Sequence, residues 1–142
     1  MFDFFVKYLG FLKNVPLLPQ LFEAFLILCS FIFKPEVLDG IDIIHYEVLR
    51  WEGITECRHK YGGLQFDCSG KEVGHIHGNG ILDILFSKKI KEQLLAEGKI
   101  KDHHIFANTG WISFYITQKE DAAYAIKLLW LSWSKIDNSA AK

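Results

Sequence analysis

Apolar residues recur at helical spacing up to about Arg50 and at every second position after Gly53, and this switch divides the chain. Before it, Phe2 to Lys13 reads as a short helix ended by Asn14 and Pro16. Pro19 to Phe33 reads as a second helix, with proline near its start where the missing N–H is harmless. Lys34-Pro35 breaks it, and Pro35 to Arg50 is a third helix, with Gly40 its weak point. After the switch come four predicted strands, Ile54 to Tyr61, Leu64 to Cys68, Lys71 to His77 and Ile81 to Phe86. They are joined by Gly62-Gly63, Ser69-Gly70 and Gly78-Asn79-Gly80, connections so short that the strands must run antiparallel. Ser87 caps a helix from Lys88 to Glu97, striped by Ile90, Leu94 and Leu95 and ended at Gly98. Asp102 to Phe106 is short and extended, and Gly110 to Thr117 is a further strand. The last helix, Lys119 to Ser134, turns Ala122, Ala125, Ile126, Leu129 and Trp133 inward. The pattern predicts an α+β fold: an antiparallel meander with helices packed mainly on one face, preceded by a helical N-terminal segment. The expected divisions are residues 1–50, residues 51–136 and a frayed tail at 137–142.

Strand parity sorts the side chains further. Leu82, Ile84 and Phe86 share one face with Ile112, Phe114 and Ile116, and these wholly apolar sets belong under the helices. The opposite face then carries His75, His77, Asp83, Trp111, Ser113 and Tyr115, with Cys57, His59 and Tyr61 in matching parity. Glu72 falls out of phase with His75 unless Gly74 marks a bulge; otherwise it holds backbone or Arg58.

Half the residues are apolar and 15% aromatic, so the chain is globular, and 142 residues make one domain of common size. A net charge of −1 offers no basic excess, which argues against nucleic acid as a partner. Lys88-Lys89 and Lys99/Lys101 read as solvated positions. Three unevenly spaced cysteines, Cys29, Cys57 and Cys68, argue for a reducing, cytoplasmic setting without disulfides. Cys57 and Cys68 read as small strand residues before metal ligands, and nothing marks either as an activated thiolate. The uncharged run Ala24 to Phe33 covers only about 15 Å as a helix, roughly half a bilayer core. Asp3 stands where a leader would carry positive charge, and no small-residue cleavage site follows. The first helices are therefore expected to pack on the domain, with membrane or partner contact through this segment as the alternative.

Five of the six histidines fall between His59 and His104. His75 and His77, two apart on a strand, project to one face. With His103 and Asp83 they make a three-histidine, one-carboxylate set suited to a divalent iron, manganese or zinc ion. A hydrogen-bonded histidine cluster without metal fits the same residues. His103 and His104 point oppositely if extended, so at most one of them joins the site. Trp111, Tyr115, Ser113 and His59 would wall a pocket for a small aromatic or acidic ligand.

The ordered string His59-Lys-Tyr-Gly-Gly63, Glu72-Val-Gly-His-Ile-His-Gly78, Leu82-Asp-Ile-Leu-Phe86, Gly98 with His103-His104 behind it, and Gly110-Trp-Ile-Ser-Phe-Tyr115 resembles a known family. It is similar to the small bacterial proteins labelled luciferase family protein, which share a domain with the fungal luciferases. The resemblance spans about Arg50 to Ser134. The fungal enzymes show the Glu72, His75 and His77 pattern, one histidine best matched by His103, and an aromatic strand matching Trp111 to Tyr115. Asp83 and the His59 turn belong to the bacterial pattern. The fungal proteins oxidise a hydroxylated styryl-pyrone with dioxygen, without a known organic cofactor, and emit light. The resemblance implies an oxygenase-like oxidoreductase with His75, His77, His103 and Asp83 as catalytic groups. A non-catalytic ligand-binding module and a membrane- or partner-docking protein are the competing expectations.

Overall fold

The computed structural model describes residues 17–103 and 105–140. The helix expected from Phe2 to Lys13, and His104, lie outside the described residues. Among the described residues, four helices and a six-stranded, wholly antiparallel sheet make an α+β fold. Helix α1 (Leu18–Phe33) and helix α2 (Pro35–Val48) meet at Lys34, and each begins with proline in its first turn. Strands β1 (Ile54–Arg58), β2 (Leu64–Cys68), β3 (Lys71–Ile76) and β4 (Ile81–Leu85) form the expected meander. Helix α3 (Lys88–Ala96) starts where the Ser87 hydroxyl accepts from the Ile90 amide at 3.4 Å. Strand β5 (Lys101–Asp102) and strand β6 (Trp111–Tyr115) follow, and helix α4 (Ala122–Ala140) closes the chain after a 3₁₀ turn at Lys119–Asp121. The strand order is β1-β2-β3-β4-β6-β5.

Phe66, Leu82, Ile84, Ile112, Phe114 and Ile116 are buried with Ile44 and Val48 of α2 and Ala125, Leu128 and Leu129 of α4. The wholly apolar strand face thus lies under the helices, as parity requires. At Gly74 α4 packs tightly on the sheet: a methyl group there would stand 3.0 Å from Leu129 and 2.9 Å from Ile84.

Several boundaries differ from the spacing. Helix α4 continues through Asp137 to Ala140, because Leu131, Trp133 and Ile136 keep the apolar stripe going beyond Ser134. β1 stops at Arg58, since the His59 amide turns to the Gly63 carbonyl at 3.0 Å and closes a tight loop. The extended stretch expected from Asp102 to Phe106 is a two-residue strand ending at Asp102, and His103 opens a loop. Helix α1 packs on the domain along one side only. Leu21, Phe25, Leu28, Phe31 and Phe33 are exposed on the other, and no helix among the described residues is long and apolar enough to cross a membrane.

Candidate functional site

Cross-strand pairing assembles the site from one row of the sheet. Cys57 faces Gln65, Gln65 faces His75, His75 faces Asp83, Asp83 faces Ser113, and Ser113 faces Lys101. On this side of the sheet His75 and Asp83 are direct neighbours, and Ser113 stands beside them. The pairing steps from Phe66↔Gly74 to Asp67↔Glu72, so Val73 is an extra residue and β3 carries a bulge beside Gly74. That bulge brings Glu72 onto the His75 face, where its Oε1 lies 2.5 Å from His75 Nδ1.

Asp83 is the centre. It is fully buried, and its Oδ1 accepts from the Ser113 hydroxyl at 2.5 Å. Its Oδ2 is approached by His103 Nε2 at 3.5 Å, His75 Nε2 at 3.6 Å and His77 Nε2 at 3.9 Å. These are longer than ordinary hydrogen bonds, and Oδ2 is buried without one closing on it. Burial alone would raise the Asp83 pKa. The His103 ring set against Oδ2 and the Ser113 hydroxyl on Oδ1, with the His75 ring nearby, outweigh it and hold the carboxyl below its usual value.

The other nitrogens of the three rings are engaged. His77 Nδ1 lies 3.3 Å from Oε2 of Glu23, whose Oε1 also accepts from the Gly78 amide. Gly78 permits this approach, because a methyl group there would come within 2.3 Å of Ile27 on α1. His103 Nδ1 accepts from the amides of Ile105 and Phe106 at 3.1 and 3.2 Å. His59 stacks on His75, ring centres 3.8 Å apart and planes 11° apart, and its Nδ1 is buried without a partner. Burial and the neighbouring His75 push the His59 pKa down to about 4, so this ring is neutral at pH 7. Trp111 packs against both His75 and His103, at 5.7 and 5.8 Å between ring centres.

His59, His75, His77, Asp83, His103, Trp111 and Ser113 are therefore brought together. Tyr115 sits one row away beside Ile81, more than a third exposed, with the Lys101 ammonium over its ring. Cys68 is in the core. Cys57 is exposed; desolvation and its hydrogen bond to Asp67 raise its thiol pKa, the opposite of an activated thiolate. Two contributors escaped the sequence reading. Glu23 is the one charged residue of α1, and that isolation in an apolar helix was its available signal. Lys91 is buried on α3, where its Nζ binds Asp102 Oδ1 at 2.6 Å and the carbonyls of Ala107 and Thr109. It thereby anchors the loop that carries His103, and nothing in the local pattern separated it from its solvated neighbours.

An open cleft of about 690 Å³ runs between α1, α2 and the β1–β2 hairpin, with Ala24, Ile27, Leu38, Ile41 and Leu64 as its apolar wall. It meets the cluster at His77 and Glu23 only; His75, Asp83, His103 and Trp111 do not line it.

Residues 70–132 match the model of the Luciferase domain family. The match takes in His75, His77, Asp83, His103, Trp111 and Ser113, and leaves His59 and Glu23 outside. No curated protein and no solved structure matches the chain.

Proposed function

We propose that this luciferase-like chain is a small-molecule enzyme that uses dioxygen on a weakly acidic aromatic or enolic substrate at the Asp83–histidine cluster. The observation that carries the reading is the convergence of three Nε2 atoms, at 3.5 to 3.9 Å, on a buried carboxylate oxygen with no hydrogen bond of its own. A purely structural cluster would close its hydrogen bonds. Leaving a buried polar atom unpaired costs about 1–3 kcal/mol, and such a cost is kept where the atom awaits a ligand.

The cleft beside His77 supports a flat apolar substrate body, with His77 and Glu23 meeting its polar end. An acidic O–H or C–H proton passes to an imidazole of the cluster. The electron pair left on carbon goes to dioxygen; a C–O bond forms, and dioxygen is reduced to the peroxide level. The proton returns to the distal oxygen. Substrate–H and O₂ thus give substrate–OOH, with no outside reductant. The luciferase-like match supports the same class, since the fungal enzymes that the motifs resemble oxidise a hydroxylated styryl-pyrone with O₂.

The test is oxygen uptake and photon counting with a hydroxylated styryl-pyrone, then with simple phenols and hydroxypyrones. Uptake is expected with at least one of them. His75→Ala and His77→Ala should abolish it while circular dichroism and the unfolding midpoint stay close to wild type. Binding without uptake would make this a binding module. Neither uptake nor binding across the set overturns the reading.

A further inference from the structure

We infer that His75 Nε2, His77 Nε2 and Asp83 Oδ2 form a three-point site for a divalent transition-metal ion, with His103 turning a protonated Nε2 toward the carboxylate and not acting as a ligand. The ion's catalytic role rests on the function proposed above; its binding does not.

The argument turns on which ring nitrogen carries the proton. A carboxylate only accepts, so His75 Nδ1, 2.5 Å from Glu72 Oε1, carries hydrogen and directs the Nε2 lone pair toward Asp83. His77 repeats the arrangement with Glu23 Oε2 at 3.3 Å. Metal-binding histidines usually donate their other ring N–H to a carboxylate in this way, which fixes the tautomer. His103 is wired the other way. Its Nδ1 accepts from two backbone amides, so the lone pair is there and the proton sits on Nε2, facing Asp83 Oδ2 at 3.5 Å. A nitrogen that bears a proton cannot ligate.

His59 is excluded by a different observation. A nitrogen of it lies within 4.8 Å of ligand atoms of His75 and His77. Its ring, however, is stacked within 11° of His75, so the in-plane lone pairs of the two rings run side by side and do not converge on one ion.

The carboxylate completes the set. Ser113 fixes Oδ1, and Oδ2 is the buried atom without a hydrogen bond. Ligands about 2.1 Å from an ion stand roughly 3.0–3.4 Å apart, so the observed 3.6 and 3.9 Å need to close by roughly 0.2–0.9 Å. Two imidazoles and one carboxylate on one side of an ion leave its remaining positions open, the arrangement that suits ferrous iron in oxygen-using enzymes. Trp111, against His75, would shield that ion from bulk water.

The test uses the full chain, stripped with a chelator and titrated with Co²⁺ by visible absorption and with Zn²⁺ by calorimetry. One ion per chain is expected. His75→Ala, His77→Ala and Asp83→Asn should each weaken binding at least ~100-fold, and Glu72→Ala, which acts behind His75, by about 10–100-fold. His103→Gln should bind within about tenfold of wild type, since an outer-shell donor gives at most the small end of that range. Because a buried variant can unfold, nitrogen NMR of the wild-type imidazoles gives a second reading: Zn²⁺ should shift Nε2 of His75 and His77 and leave His103 protonated on Nε2. No ion bound by the folded wild type, or His103→Gln as damaging as His77→Ala, overturns the assignment. Tight binding without oxygen uptake would sink the proposed function and keep this site. Uptake that persists in metal-free protein would keep the proposed function and strip the ion of its role in it.

Discussion

Asp83 and Ser113 show how much one hydrogen bond decides at residue scale. Both side chains are fully buried, and the 2.5 Å contact between them is the one short bond the carboxylate makes among the described residues. Ser113→Ala therefore leaves a buried carboxylate oxygen without its donor, and should lower stability by about 1–3 kcal/mol in urea unfolding. A change below a few tenths would mean that water replaces the hydroxyl. Strand alternation was enough to place His75, Asp83 and Ser113 on one face before any coordinates. It could not supply tautomers. Those depend on what stands behind each ring: Glu72 three residues away, Glu23 fifty-four residues away, and two amides of a loop. Only the Glu72 contact, through a bulge at Gly74, was within reach of sequence reasoning.

At the scale of elements, the short turns made the meander legible, because hairpins leave antiparallel pairing as the only choice. The loop after β5 was not, since its shape is imposed from a distance by Lys91. Replacing Lys91 by Met removes a buried ammonium and leaves the Ala107 and Thr109 carbonyls without their donor. The expected cost is about 1–3 kcal/mol, with faster hydrogen exchange at the Ile105 and Phe106 amides that bind His103. Unchanged exchange at those two amides would show that the loop holds itself. The start of α4 offers a comparison away from the site. Asp121 Oδ2 accepts from the Thr117 amide and hydroxyl, both at 2.8 Å, and from the Gln118 amide at 3.1 Å. Burial would raise its pKa, and these bonds outweigh that and lower it below 3.8. A carboxyl depressed on folding stabilises above its unfolded pKa and loses that contribution as pH falls through the folded value. Asp121→Ala should thus cost about 1 kcal/mol at pH 7, and the difference from wild type should shrink as pH drops below about 3.8.

At the scale of the molecule, α1 stands apart from the rest. The buried core draws on α2, the sheet, α3 and α4, and no described side chain of α1 belongs to it. What α1 does contribute is Glu23, set against His77 and Gly78, and one wall of the cleft. The helix was legible in the sequence from its apolar run and its prolines. Its outward apolar face was not, because composition does not say which side of a helix the domain covers. Removing residues 1–33 should therefore leave a folded domain with a cooperative unfolding transition, and should reduce self-association by stripping the exposed Leu21, Phe25, Leu28, Phe31 and Phe33. The same deletion takes away the carboxylate behind His77, so Co²⁺ affinity should fall by about 10–100-fold, the usual effect of losing an outer-shell partner. Glu23→Ala in the full chain separates the two effects: it should reproduce the loss of affinity and leave self-association unchanged. If the truncated chain unfolds, α1 is part of the fold's stability and not only a cover for its site.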